Sequence, residues 1–305
     1  PTSRSAVSAP IVGSRGRVRG AIVLESDEEG AYGPGSLELL TVYAAGVSGA
    51  IERAFLYARV VSDRRLESEL VVARRVLAGL LPRETPHLDG FDIAAVIQPC
   101  FEVGGDYYDF IPLGKDRWGI AIADVVGKGV PAALLVAAMR ASLYSLTAHE
   151  LALRAVLDRA NRFFYESAGL DGKYVTLFYA VMDIQARRLI YVNAGHLPPI
   201  LLRRVGKVEL LEEGGFPLGP FADPRYFEGF ARLQTGDLLA LYTDGIVEAM
   251  DENERHYGHE RLVNILRELR SRTAAEICSE VIKDAGRFSH ARPPDDQTVL
   301  IIKAT

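Results

Sequence analysis

Four short acidic signatures constrain what this chain can fold into. They read Gly104-Gly105-Asp106, Asp124-Val125-Val126-Gly127-Lys128-Gly129, Tyr242-Thr243-Asp244-Gly245 and Asp295-Asp296-Gln297-Thr298. In each, a carboxylate stands where an apolar run of strand length meets glycine or another turn-former, which is the grammar of a sheet rim. Carboxylates gathered at one rim repel one another and call for a cation. Hard divalent ions such as Mg²⁺ or Mn²⁺ prefer such oxygen ligands. Taken singly, Asp124 reads equally as a turn or helix-capping aspartate, and Asp295-Asp296 as a solvated turn. Their joint occurrence points to one site.

The runs between these signatures set the fold class. Strand-like stretches are expected at 91–97, 107–112, 118–125, 174–184, 189–193, 200–203, 238–243 and 298–303, and helices at 130–148, 151–167, 260–270 and 274–288. Several strands follow one another without a helix between them, so a parallel βαβ alternation does not fit. An α+β architecture does, with antiparallel sheets and helices packed outside. The Gly127-Lys128-Gly129 stretch lacks the full glycine-lysine-serine/threonine loop of a nucleotide site.

Upstream, apolar runs around 7–12 and 18–24 flank Gly13-Ser14-Arg15-Gly16 and predict a hairpin. From Ser36 to Leu81 there is no proline, and apolar residues recur at helical spacing through Val47, Ile51, Ala54, Ala58, Val61, Leu66, Leu70, Ala73, Leu77 and Leu80. That predicts one very long amphipathic helix, or two in series, stopped at Leu81-Pro82. Such a stripe needs a partner, and a second copy of the chain is a natural one, giving a homodimer through residues 45–80. The domains expected are a remnant at 1–35, a linker helix at 36–82 and a main domain at 83–305. Because the chain opens Pro1-Thr2-Ser3-Arg4 with no initiator Met and no signal h-region, a piece of something longer is expected.

Charge and cysteine usage narrow the class. A net charge of −5 speaks against nucleic acid as a partner. The local basic stretch from Arg15 to Arg19 fits a strand edge. Cys100 and Cys278 lack metal-ligand spacing and read as small buried side chains in a reducing, cytoplasmic compartment. No uninterrupted apolar run reaches the ~20 residues of a membrane span, so no membrane is expected. The six histidines do not cluster as zinc ligands, and His256 and His259 read as solvent-facing. Two cations held by carboxylates suit phosphate-ester hydrolysis, because they activate a bridging water and neutralise phosphoryl oxygens.

In this order, Val103 to Phe110, Asp124 to Gly129, Asn193-Ala194-Gly195-His196, Tyr242 to Gly245 and Asp295 to Thr298 resemble the SpoIIE/RsbU branch of the metal-dependent type 2C (PPM) serine/threonine protein phosphatases. The resemblance covers about residues 68–303, and Ala73 to Pro82 is similar to that branch's leading helix. It implies an α-β-β-α sandwich of two antiparallel sheets with two Mn²⁺ or Mg²⁺ ions at one end. Asp124 would bridge both ions and the Val125 carbonyl would complete one site. Asp244 and Asp295 would hold the other, with Asp106 binding directly or through water; the match favours Asp295 over Asp296. A metal-bound hydroxide would attack phosphoserine or phosphothreonine in line, without a phosphoenzyme. The implied substrate is a phosphorylated anti-sigma-factor antagonist of the STAS type. The arginine that eukaryotic relatives place near the first acidic motif is absent, which leaves the metals, Lys128 or another residue to hold phosphate. The Asn193–His196 turn could be structural or functional. Residues 6–55 are similar to the last strands and final helix of a GAF sensory domain.

Overall fold

Apolar alternation and turn chemistry build two compact units, residues 1–69 and 70–305. The computed structural model describes residues 3–14, 16–82, 84–100, 104–114, 116–148, 152–167, 172–289, 293 and 295–305, with backbone alone at 62, 63, 65–70 and 73–78. Arg15, Val103 and the side chains of Leu66, Leu70 and 73–78, all quoted above, therefore lie outside the described residues.

In the first unit β1 (Ser5–Val12) and β2 (Val18–Ser26) form the expected antiparallel hairpin. One face of it, through Ala9, closes on Leu40 and Ala44 of α1 (Pro34–Ala78). A hairpin alone is marginal in water, so this small contact stabilises it. The helix runs as one element of 45 residues, so the alternative of two in series does not apply. Two helical stretches, 34–61 and 130–147, meet the length and hydropathy of a membrane span. The first carries Glu38, Glu52, Arg53 and Arg59, and the second packs within the second unit.

The second unit has four layers. One sheet contains β4 (Asp106–Pro112), β5 (Arg117–Val125), β6 (Val175–Asp183), β7 (Arg188–Ala194), β10 (Gly214–Gly215) and β11 (Gly229–Arg232). The other runs β3 (Phe91–Gln98), β13 (Gln297–Ala304), β12 (Leu238–Tyr242), β8 (Ile200–Leu202) and β9 (Val208–Leu210). All pairings are antiparallel except the two-residue contact of β10 with β7. The sheets meet through Phe110, Ile120, Ile122, Phe178 and Met182 from the first, against Leu239, Leu241, Leu300 and Ile302 from the second. These positions alternate along each strand with a second apolar set, because successive side chains point to opposite faces.

That second set faces the helices. Tyr107, Ala121, Ala123, Leu177 and Tyr179 receive α2 (Val130–Thr147) and α3 (Leu153–Ser167). Ile200, Leu202, Ala240 and Ile301 receive α5 (Gly258–Glu268) and α6 (Ala274–Ser289). Strands buried on both faces read as continuous apolar runs. That leaves chiefly their ends to carry charge towards solvent.

Candidate metal centre

The antiparallel register brings the first two signatures together. Asp106, at the start of β4, stands opposite Asp124 near the end of β5. Beyond Asp124 the chain must turn sharply into α2, and Gly127 (φ 107°) and Gly129 (φ 73°) adopt conformations that disfavour a side chain. Asp244 opens α4 (Asp244–Val247) where β12 ends, and Asp295 stands just before β13, which pairs with β12 through Tyr242 and Val299. All four predicted acids thus sit at one end of the sandwich, two from each sheet.

Side-chain hydrogen bonds join the two sheets at this end. The hydroxyls of Thr243 and Thr298 both donate to Asp106 Oδ2, at 2.7 and 2.5 Å. Thr298 N–H in turn donates to Thr243 Oγ1 at 3.0 Å. Asp106 Oδ1 makes no hydrogen bond among the described residues. Both threonines lay inside the quoted signatures, yet a threonine beside an aspartate carries no local sign that it will bond a carboxylate far away in sequence.

The adjacent pair Asp295-Asp296 divides its labour. Asp296 is buried, and its Oδ1 accepts the Cys100 N–H at 2.8 Å while Oδ2 accepts the Gly105 N–H at 2.7 Å. Asp295 is half-exposed, with Oδ2 2.8 Å from Lys128 Nζ and Oδ1 accepting the Asp296 N–H at 2.9 Å. Asp296 is therefore an anchor for the loop preceding Asp106, and Asp295 is the one with an oxygen turned to an exchangeable partner.

Glycines permit this convergence. A Cβ on Gly104 would collide with the Asp296 carboxylate, and one on Gly245 with the Asp296 carbonyl. A Cβ on Gly105 would lie 2.8 Å from the Val125 carbonyl oxygen. Three glycines of two signatures are thus required by close approach around one point.

Charge accumulates there. Burial, then the Asp124 carboxylate, pushes the Asp106 carboxyl well above the usual range, against the opposing pull of the two threonine hydroxyls. Burial, then Asp244 and Asp295, raises Asp124 to about 7. Burial, then Asp295 and Glu248, raises Asp244. A site whose acids resist ionisation together is one that a cation completes. The donors are carboxylate and carbonyl oxygens, which fit Mg²⁺ or Mn²⁺. Cys100, Asp295 and Asp296 also place ligand atoms within 4.8 Å of one another. Burial pushes that thiol up to about 11 and backbone N–H groups take both Asp296 oxygens, so the trio does not suit a thiolate-bound metal.

The Asn193–His196 turn is structural. Asn193 Oδ1 accepts the His196 N–H at 2.7 Å, and His196 Nε2 lies 3.2 Å from the Tyr242 carbonyl. A carbonyl needs a donor, so Nε2 carries the proton and Nδ1 accepts from the Thr176 hydroxyl at 2.9 Å. Burial lowers His196 to about 4, which keeps it neutral in this role. Thr176 pairs with Asp124, so the imidazole ties the two sheets directly behind the acids. His256 and His259 are exposed as expected, although His259 Nδ1 meets the Tyr242 hydroxyl at 2.8 Å. Both cysteines are buried, and neither is in a disulfide among the described residues.

A further buried acid was not singled out from sequence. Asp109 accepts from Tyr107 Oη at 2.7 Å, Arg140 Nε at 3.1 Å and Phe110 N at 2.7 Å, fastening β4 to α2. Its signal, a second acid within one strand, looks like an exposed position until the register buries it.

Comparison with known proteins agrees with this fold. The family model described as Stage II sporulation protein E (SpoIIE) matches residues 114–305, and that of a GAF domain matches residues 1–53. Phosphoserine phosphatase RsbU of Bacillus subtilis is 28% identical over 242 residues, 79% of this chain and 71% of RsbU. Protein IcfG of Synechocystis is 28% identical over 237 residues, but the match takes in only 37% of that protein. Among solved structures, the SiaA-PP2C domain of Pseudomonas aeruginosa superposes with a TM-score of 0.70 at 19% identity, over 79% of this chain and 98% of that one.

Proposed function

This chain belongs to the SpoIIE family and is a PP2C-type serine/threonine protein phosphatase, and from that premise we propose how its acids divide the work. Asp124 would serve both divalent ions, with the Val125 carbonyl as a further ligand of one. Asp244 and Asp295 would hold the other, and Asp106 would contribute directly or through a water. The observation that carries this reading is the arrival of all four acids at one end of the sandwich, with Asp124 facing both Asp244 and Asp295 closely enough to be raised by them. When bound, the ions would neutralise phosphoryl oxygens and make a coordinated water nucleophilic at neutral pH, which would make a phosphoenzyme unnecessary. The protein's own part is to hold the donors still. Asp296 fixes the Gly105 amide, Thr243 and Thr298 orient Asp106, and His196 braces Thr176 against β12.

The substrate in this reading is phosphoserine or phosphothreonine on an anti-sigma-factor antagonist of the STAS type, within the cytoplasm. Likeness to the phosphoserine phosphatases RsbU and RsbP supports it. A scaffold that merely binds phosphoprotein is the rival from another class, and the presence of every expected acid counts against it. The test is hydrolysis by the full chain of phosphoserine peptides, phosphorylated STAS proteins, p-nitrophenyl phosphate and cyclic or linear nucleotides, with Mn²⁺ and with EDTA. Release of phosphate from the phosphoproteins that EDTA abolishes is expected. A folded protein that binds the phosphoprotein without Mn²⁺-dependent turnover would sink the enzyme reading, and preference for nucleotides would replace the substrate.

The reading extends to organisation: a GAF-like remnant at 1–35, a linker helix at 36–82 and the phosphatase at 83–305. Along α1, Phe55, Leu56, Tyr57, Val60, Val61, Val71 and Val72 are exposed, which supports pairing of this helix with a second copy. Sedimentation at micromolar concentration is expected to give twice the chain mass of 33.4 kDa. A strictly monomeric mass would end this part of the proposal.

A further inference from the structure

We propose that Lys128 is a built-in competitor for the metal at Asp295 and, once displaced, the cationic contact for the substrate's phosphate. This rests on the metal centre described above. Lys128 Nζ lies 2.8 Å from Asp295 Oδ2, with the two side chains 46% and 40% exposed. The other Asp295 oxygen is held by the Asp296 amide. The oxygen open to an ion is therefore the one the ammonium occupies. Among the described residues, no other basic side chain forms an ion pair with Asp106, Asp124, Asp244 or Asp295. Its charge reaches further than Asp295, since it lowers both Asp124 and Asp244 against the upward push of burial.

Two like-signed partners cannot share that face of a carboxylate without strong repulsion, and a divalent ion carries twice the charge of an ammonium. Metal binding at Asp295 must then release Lys128. The loop is uncrowded on either side of the lysine: no atom outside the immediate chain neighbours comes within 4 Å of a Cβ placed on Gly127 or Gly129. A lysine freed there remains tethered beside the acids as a compact, rotatable donor, which suits the phosphate of an incoming phosphoserine. The same side chain thus keeps the empty acids tolerable and the occupied site attractive to a dianion.

Calorimetric titration of Mn²⁺ into the full chain separates this from a structural role. A half-exposed pair is worth up to about 1 kcal/mol, or about fivefold in an equilibrium. Lys128→Met is expected to bind Mn²⁺ about fivefold more tightly than the parent, and Lys128→Arg within about twofold. At saturating Mn²⁺, Lys128→Met should raise KM for a phosphoserine peptide by about fivefold or more with kcat within about twofold. Unchanged or weaker Mn²⁺ binding by Lys128→Met overturns the competition, and an unchanged KM overturns the phosphate contact. Undiminished Mn²⁺ binding by Asp124→Asn would instead show that the metal centre is misassigned, a failure distinct from either.

Discussion

Asp124→Asn is expected to lower Mn²⁺-dependent turnover by a factor on the order of 10³ or more, while making the metal-free chain more stable. The two effects share one cause. Asp124 sits opposite Asp106 and is raised to about 7 by burial, then by Asp244 and Asp295. In the proposed site it would be the carboxylate shared by both ions, and the amide that replaces it supplies no charge. Without metal, the same charge opposes folding. The native carboxyl holds its proton up to about pH 7, whereas the unfolded one loses it near the ordinary carboxylate value of 3.8. Between these values the native state binds more protons, so its stability falls as pH rises through that window. Thermal denaturation in EDTA should show this decline in the parent and a flatter profile in Asp124→Asn. Retention of turnover within tenfold would remove Asp124 from the centre. A variant less stable than the parent at pH 8 in EDTA would mean that hydrogen bonding, and not charge, dominates at this position.

Asp296→Ala and Asp295→Asn should fail in opposite ways although the residues are neighbours. Both Asp296 oxygens accept backbone N–H groups in a buried setting, from Cys100 and Gly105. Removing the carboxylate leaves two buried donors without a partner, at about 1–3 kcal/mol each. A loss of about 3 kcal/mol, or ~10 °C in Tm, is expected for Asp296→Ala. Asp295 makes a half-exposed ion pair with Lys128, so Asp295→Asn should change stability by less than about 1 kcal/mol. Its Mn²⁺ affinity should fall by roughly tenfold or more, since affinity follows the number of charged ligands. Differential scanning calorimetry and Mn²⁺ titration on both variants measure this. A stable Asp296→Ala with weakened Mn²⁺ binding, beside an unaffected Asp295→Asn, would exchange the two roles.

How much of this was legible from residues alone varied with range. The long elements were, because periods of 2 and 3.6 are local: the helix expected at 130–148 is found at Val130–Thr147, and that at 274–288 at Ala274–Ser289. Elements too short to show a period were not, among them β9, β10 and α4. Within the site, the acids were legible because aspartate beside glycine at a strand end is a local pattern. Their partners were not. Thr243 and Thr298 reach Asp106 across 137 and 192 residues of sequence, and Asp296 reaches Cys100 across 196.

By itself, then, the order of residues determined that apolar strands would end in acids and glycines, and so that an oxygen-rich rim would form if those ends met. Tertiary structure alone decided that they meet, and which of two adjacent aspartates faces outward. Strand register is set by burying both faces of every central strand, and shifting it by one residue would exchange the inter-sheet face for the helix-facing one. That register puts Asp106 opposite Asp124 and buries Asp296 while leaving Asp295 beside Lys128. Nothing local distinguishes those two carboxylates; the amides waiting in the loop before β4 do.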